Sequence, residues 1–485
     1  MILKRMACLL VRRSWLAAVI VIVICGANCV EADDSFVTDQ PNVLFIFADD
    51  HSFDSVGALG NDEVMTPNID SIARSGMTFT RAYNMGAWGG AVCVASRTML
   101  NTGRFVWAAQ RLDLGKERAS GRTWAQLMSD AGYETYFTGK WHVKLKPSDL
   151  FDHVGHVRGG MPKQTPEGYD RPAEGNAWTP WDQTKGGFWE GGKHWSEVVA
   201  DDTIEFLERA KRSEKPFFMY IAFNAPHDPR QSPQEFVKKY PADKIKIPVN
   251  FQSRYPYQDE IGCGTQLRDA RLAPFPRTEA DVRVHRQEYY AIITHMDREI
   301  GRILKALEDS GKSDSTYVFF TADHGLACGH HGLMGKQNMY EHSMRVPFFV
   351  RGPGVEAGKT SAERIYLQDV MATSLDLAGR EIPKHVSFQN LGPMIRGEED
   401  AKSKYDAIYG GYKELQRMVI KDDWKLILYP TAEAIRLYDL NQDPNELKDR
   451  SNEVEQSERI DLLFAEFKRL QAETGDSLKI EAYWK

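Results

Sequence analysis

The sequence predicts an α/β protein: a large, mostly parallel sheet sandwiched by helices, followed by a smaller C-terminal α+β domain with an antiparallel sheet. Two observations carry this. Continuous apolar runs alternate with helical patterns through most of the chain, the signature of parallel strands buried on both faces. Beyond about residue 385 the texture changes to short alternating runs. The 485 residues suffice for one large domain or two to three ordinary ones, and 42% hydrophobic with 27% charged residues excludes a disordered or fibrous chain.

Residues 1–32 read as a secretory signal peptide. Lys4, Arg5, Arg12 and Arg13 form a basic start, residues 15–25 an apolar run, and Val30-Glu31-Ala32 a cleavage point. The run is short for a membrane span. The expected product is exported, periplasmic or extracellular, with no stable membrane partner; an uncleaved anchor is the alternative. Formal net charge is −7, and without the leader 57 cations face 67 anions, a net of −10. Such an acidic chain is a poor candidate for binding nucleic acid, and an anionic substrate would need a locally positive site.

The catalytic domain is expected over 33–385. Its first strand, 43–48, ends in Asp49-Asp50. A weaker run at 133–137 leads to Lys140 and His142, 217–223 leads to His227, and 317–320 ends in Asp323-His324. Helical patterns lie between them at 69–75, 124–131, 198–212 and 286–307. The last presents Ile292, Ile293, Met296, Ile300, Ile303 and Leu304 on one face, and leaves His295 a structural role. In such sheets the ligand crevice lies beyond the carboxyl ends of the strands, so four separate segments point at one site. Residues 144–193, with Trp178, Trp181 and Trp189, form a Gly- and Pro-rich insertion with little periodicity. The second domain, 386–485, has strand patterns at 418–420, 424–429 and 437–440 and an amphipathic helix at about 455–473.

Asp49, Asp50 and Asp323 aim three carboxylates at one crevice, an arrangement that needs a cation. Oxygen ligands suggest calcium or magnesium, and the nitrogen of His324 leaves manganese or zinc open. The bland alternative makes these residues helix caps or turn formers. Three of the six cysteines, Cys8, Cys25 and Cys29, lie in the leader, leaving Cys93, Cys263 and Cys328. That is no disulfide scaffold, and one at least has no internal partner; whether Cys263 and Cys328 pair stays open. Cys93 at the start of a short helix would have a lowered thiol pKa beside anion-binding N–H groups. Arg97, one turn on, would point its guanidinium at the same anion.

Cys93-Val94-Ala95-Ser96-Arg97, with the tail Leu100-Asn101-Thr102-Gly103-Arg104, resembles the signature of the formylglycine-dependent sulfatases of the alkaline phosphatase superfamily. So do Pro41-Asn42-Val43, Thr66-Pro67-Asn68-Ile69-Asp70, Gly139-Lys140-Trp141-His142, Ala225-Pro226-His227, Thr321-Ala322-Asp323-His324-Gly325 and the runs 335–341 and 437–446. The resemblance covers about 41–450 in the family's order. It implies that a formylglycine-generating maturation enzyme oxidises Cys93 to 3-oxoalanine, whose hydrate attacks sulfur and then expels sulfate by collapsing to the aldehyde. It implies that Asp49, Asp50, Asp323 and His324 hold the metal, calcium first, together with residue 93. Arg97 would orient the nucleophile, and Lys140, His142 and Lys336 would bind sulfate oxygens. His227 would protonate the leaving oxygen, with Lys336 the competing acid. His324 stands where many sulfatases have Asn, which leaves magnesium or manganese open.

The run Cys328-Gly329-His330-His331 reads either as a buried thiol in a loop or as a place where His330 and His331 bind substrate. The expected function is an exported sulfuric ester hydrolase acting on a sulfated carbohydrate, whose rings the Trp-rich insertion would stack. The rivals are a phosphodiester or phosphonate monoester hydrolase of the same superfamily and, from another class, a non-catalytic polysaccharide-binding scaffold.

Overall fold

Strand β1 (Asn42–Ala48) is buried at every residue and runs through the centre of the main sheet. In this computed structural model residues 40–480 are described, so the expected leader lies outside the described residues. Among them no helix is long and apolar enough to cross a membrane. The further strands are β2 (Met77–Tyr83), β3 (Gly86–Ala87), β4 (Glu134–Lys140), β5 (His153–Arg158), β6 (Phe217–Ala222), β7 (Thr316–Ala322), β8 (Arg345–Val346), β9 (Phe348–Arg351) and β10 (Lys359–Tyr366).

The main sheet runs β10-β2-β9-β7-β1-β6-β4-β5, with β8 paired to β2. β1 pairs in parallel with β6 and β7, and β4 with β5 and β6; β9 is antiparallel to both β2 and β7. The mostly parallel sheet is therefore as expected, with two short reversed strands, β8 and β9, against β2. Register does the functional work: Ala48 pairs Ala322 and Phe47 pairs Ala222, so the strands end level and release Asp49, Phe223 and Asp323 side by side.

Helices α1 (Pro67–Arg74), α2 (Val92–Thr102), α3 (Trp124–Asp130), α4 (Trp195–Ala210), α5 (Gln234–Val237) and α6 (Glu279–Asp309) follow. Residues of α1, α3, α4 and α6 share one core with the strands. Each fully buried large apolar side chain there contributes roughly 1.5–3 kcal/mol. α6 starts seven residues before the predicted 286, because Thr278 and Asp281 form a reciprocal capping box. Ile292, Met296, Ile300 and Ile303 enter the main core, whereas Ile293 joins a second cluster with Phe236 and Tyr240.

The second sheet contains β11 (Ala407–Tyr412), β12 (Gln416–Lys421), β13 (Trp424–Tyr429) and β14 (Ala434–Asp439), antiparallel throughout. Helix α7 (Ser457–Thr474) packs into its core through Leu463, Phe467 and Leu470. β3 adds to its edge in parallel with β11, five residues before α2 begins. The C-terminal sheet thereby braces the approach to Cys93.

Candidate active site

Asp49 and Asp50 follow β1, Cys93 is the second residue of α2, and Asp323 and His324 follow β7. One ligand atom from each of these five lies within 4.8 Å of the others, and all five side chains are buried. Cys93 Sγ is 3.3 Å from His324 Nε2 and 4.0 Å from Asp50 Oδ1, and His324 Nε2 is 3.1 Å from Asp50 Oδ1. Asp50 takes a left-handed φ of 64°, uncommon for a non-glycine residue. Two contacts hold it there: its N–H donates to Asp323 Oδ1 (3.2 Å), and Tyr289 on α6 donates its hydroxyl to Asp50 O (2.6 Å).

Cations surround the acids. Lys140, at the end of β4, donates to Asp49. Arg97, one turn along α2, donates Nε to Asp323 Oδ2 (3.0 Å) and Nη1 to Lys140 O (2.7 Å). Lys336 Nζ lies 2.8 Å from Asp50 Oδ2 and 2.9 Å from His227 Nε2. His227 donates Nδ1 to Asp228 O (2.8 Å), which turns Nε2 towards Lys336 and Asp50. His142, half-buried with φ 56°, has Gly160 backbone against its ring.

The electrostatics follow from burial and charge. Burial, with the charges of Asp323 and Cys93, pushes the Asp49 carboxyl well above its usual range. Burial opposes ionisation of the Cys93 thiol, but Lys140, Lys336 and His324 outweigh it and hold the thiol well below its usual value. Burial likewise disfavours charge on His227, yet Asp50, Asp228 and Asp49 push it up to about 10. A divalent cation fits the donor set: three carboxylates, an imidazole nitrogen and residue 93, with Asp49 Oδ1 buried and lacking a hydrogen-bond partner.

The structure thus brings together Asp49, Asp50, Cys93, Arg97, Lys140, His227, Asp323, His324 and Lys336, with His142 close by. His330 and His331 are turned to other partners. His330 contacts Asp54 Oδ2 (3.0 Å) and Asn250 Oδ1 (2.9 Å) through its two nitrogens. His331 is buried, stacks on Tyr340 at 3.8 Å and donates to Glu446 O (3.1 Å). Left-handed φ angles at Cys328 and His331 turn this loop. Cys263 and Cys328 are both free: Cys263 donates to Gln337 O (3.0 Å), and Cys328 packs among Tyr289, Tyr290 and Leu326.

A supporting layer was not foreseen. Asp228 takes a bond from Arg268 (2.7 Å), and Arg268 also binds Asp269. Asp269 accepts from Gln337 Nε2 (2.9 Å) and lies 3.9 Å from Lys336 Nζ. Gln337 also donates to Gly90 O (3.1 Å), tying the Lys336 loop to the segment before Cys93. From β12, Gln416 donates to Gln337 O (2.7 Å). Asp228 adjoins a recognised block and Gln337 lies within one, the run 335–341; Arg268 and Asp269 sit in a loop with no pattern to reveal them.

A mostly parallel sheet whose strand ends gather buried acids, flanking cations and one thiol of lowered pKa makes a hydrolytic site suited to an anionic ester. The chain belongs to the sulfatase family: the family pattern matches residues 41–380, and that of the C-terminal part of N-sulphoglucosamine sulphohydrolase matches 329–473. It is a sulfatase. An arylsulfatase of Clostridium perfringens is 30% identical over 471 residues, covering 87% of this chain and 93% of that one. An N-acetylglucosamine-6-O-sulfatase of Bacteroides thetaiotaomicron is 25% identical, covering 87% and 84%. A solved structure in complex with its substrate D-glucosamine-2-N,6-O-disulfate superposes with a TM-score of 0.71 at 25% identity, covering 90% of this chain and 99% of that one.

Proposed function

We propose that this sulfatase is exported and removes sulfate from a sulfated carbohydrate, using formylglycine made from Cys93 by a maturation enzyme. A divalent cation, calcium first, is held by Asp49, Asp50, Asp323 and His324. The observation that carries the reading is the placement of Cys93 Sγ within 4.0 Å of both Asp50 and His324, under two buried lysines. The bound cation supplies charge that favours an ionised nucleophile at position 93 and offsets sulfate charge.

The chain's own residues do the rest. Arg97 fixes Asp323 and the end of β4, so that residue 93 and Lys140 keep their spacing. Lys140 and Lys336 present positive charge where sulfate oxygens gain negative charge. His227, held through Nδ1 by Asp228, offers Nε2 as the site from which a proton reaches the leaving oxygen. Burial of the whole set excludes water and strengthens each of these interactions. The carbohydrate class is supported by relatives that act on sulfated glucosamine, and export by the basic start and apolar run of residues 1–32.

The test begins with protein made alongside a formylglycine-generating enzyme. In the tryptic peptide 82–97, conversion of the thiol lowers the mass by about 18 Da. Sulfate release from a panel of sulfated sugars is then compared with hydrolysis of matched phosphodiesters and phosphonates. Faster sulfate release supports the reading, faster phosphonate cleavage transfers the site to that chemistry, and an unconverted thiol with binding but no release makes the chain a scaffold.

A further inference from the structure

The tryptophans of the insertion stand apart from the cation cluster. Trp189 is a packing residue: its Nε1 donates to Pro180 O (3.1 Å) and its ring meets His194 edge-on. Trp178 and Trp181 do something else. With Gln234 and Lys238 from the α5 region and Gln287 from α6, they line a cavity of about 470 Å³, within the size range of small-ligand sites.

Three features of this groove point to a ligand. Trp178 is buried with the Arg171 guanidinium 4.9 Å from its ring centre, while Trp181 is half-buried and lines the groove beside the amides of Gln234 and Gln287. The charge of the lining is unbalanced. Arg171 and Glu288 neutralise each other through two hydrogen bonds (2.5 and 2.8 Å), which leaves Lys238, exposed and with no ion pair among the described residues. The chain that lines the groove also runs past the active site. Its loop begins against the ring of His142 at Gly160 and passes Met161, which touches Arg268 beside Asp228. On the opposite wall Glu288 precedes Tyr289, the residue that holds Asp50.

We infer that this groove is a second saccharide-binding subsite, in which Trp181 packs against a sugar ring and Lys238 pairs with a sulfate group. The ligand class rests on the glycan reading of the active site. A sugar ring offers an apolar C–H face to an indole and a rim of hydroxyls to amides such as Gln234, and a sulfate answers the single uncompensated cation. An unsulfated chain would lose that last contact.

Electrophoresis of the full chain through gels containing heparin, chondroitin sulfate or carrageenan tests the site, with desulfated heparin as the control gel. At least one sulfated polymer is expected to retard the protein. Trp181→Ala and Lys238→Gln should each weaken that retention by on the order of fivefold, while sulfate release from a sulfated monosaccharide is unchanged. Lys238 is exposed, so its variant folds whatever happens at Trp181. Equal retention of both variants and wild type overturns the subsite, as does a wild type that no sulfated gel retards. Loss of retention in the variants of a protein that releases no sulfate would keep the groove and overturn the catalytic reading instead.

Discussion

Lys336 and Asp50 are 286 positions apart in the chain, and the lysine ammonium nevertheless stands 2.9 and 2.8 Å from the two carboxylate oxygens of Asp50. Both side chains are buried, so each charge depends on the other. Lys336→Met is expected to lower kcat/KM by about 10²–10³-fold, the effect of removing one oxyanion-stabilising cation. In chelated protein it should also cost stability, but less than the roughly 3–5 kcal/mol of a fully orphaned buried charge, because His324 and His227 still face Asp50. Added calcium should recover much of that stability and none of the activity. Urea denaturation with and without chelator, alongside kinetics, reads both effects; a variant of normal activity would remove Lys336 from the site.

The acid cluster predicts a cation-dependent stability. Calcium at a hundred times its dissociation constant should stabilise the fold by about 2.7 kcal/mol, seen as a rise in Tm that EDTA reverses. Asp323→Asn should abolish the rise, since it removes a shared carboxylate that also anchors Arg97. His324→Asn discriminates further. Replacing the imidazole nitrogen by an amide oxygen should weaken manganese and zinc more than calcium. Equal losses for all three metals would show that His324 is not a ligand.

How much of this was legible in the sequence depended on burial. β1, β6 and β7 are buried on both faces and read as unbroken apolar runs. β2 and β10 read poorly, because Thr78, Thr80 and Arg81 or Glu363 and Arg364 interrupt them where the sheet nears its edge. β9 escaped notice since four residues are too few to show a period. The cluster itself was visible because its members follow strand ends and belong to familiar blocks. Its supports were not: Arg268 reaches Asp228 across 40 positions, and no local pattern encodes such a contact. The sequence left His330 and His331 open between a loop and a substrate-binding role for the same reason, their direction being set by loop backbone and by distant partners such as Glu446.

Buried neutral histidine should make the fold acid-sensitive. His295 on α6 accepts a hydrogen bond from Arg298 (2.9 Å) and is packed against His194 and Phe236, with Glu197 and Glu299 also facing it. Burial, helped by the charge of Arg298, pushes its pKa down to about 3. A depressed histidine contributes stability that is whole above the unfolded value near 6.5 and is lost as pH falls towards the folded value. By pH 4.5 the loss from this group alone is about 2–3 kcal/mol. His295→Gln keeps an acceptor for Arg298 without a titrating ring. Its stability should therefore fall less than that of wild type between pH 7 and 4.5, by about 2 kcal/mol. Parallel unfolding curves at the two pH values would assign the acid sensitivity elsewhere.

Gly139 controls where Lys140 points. It pairs with Ala222 of β6 and, past a register shift, with Val157 of β5, at a φ of 101° that few other residues adopt. A Cβ there would lie 1.8 Å from Ala222 O, a backbone atom of a central strand that cannot swing aside. Two separate penalties therefore meet in Gly139→Ala, the conformational one and the clash. Together they should exceed about 3 kcal/mol. The more telling effect is local. Relief of the clash requires β4 to part from β6 at its carboxyl end, and this moves Lys140 from Asp49 and takes Lys140 O from Arg97 Nη1. Where the variant folds, it should thus lose activity far beyond its loss of stability, by about 10²-fold, the cost of a displaced catalytic charge. Kinetics at a temperature well below the variant's own Tm separate the two. Activity retained in proportion to folded protein would mean that Lys140 is held by its ion pair alone and not by the strand that delivers it.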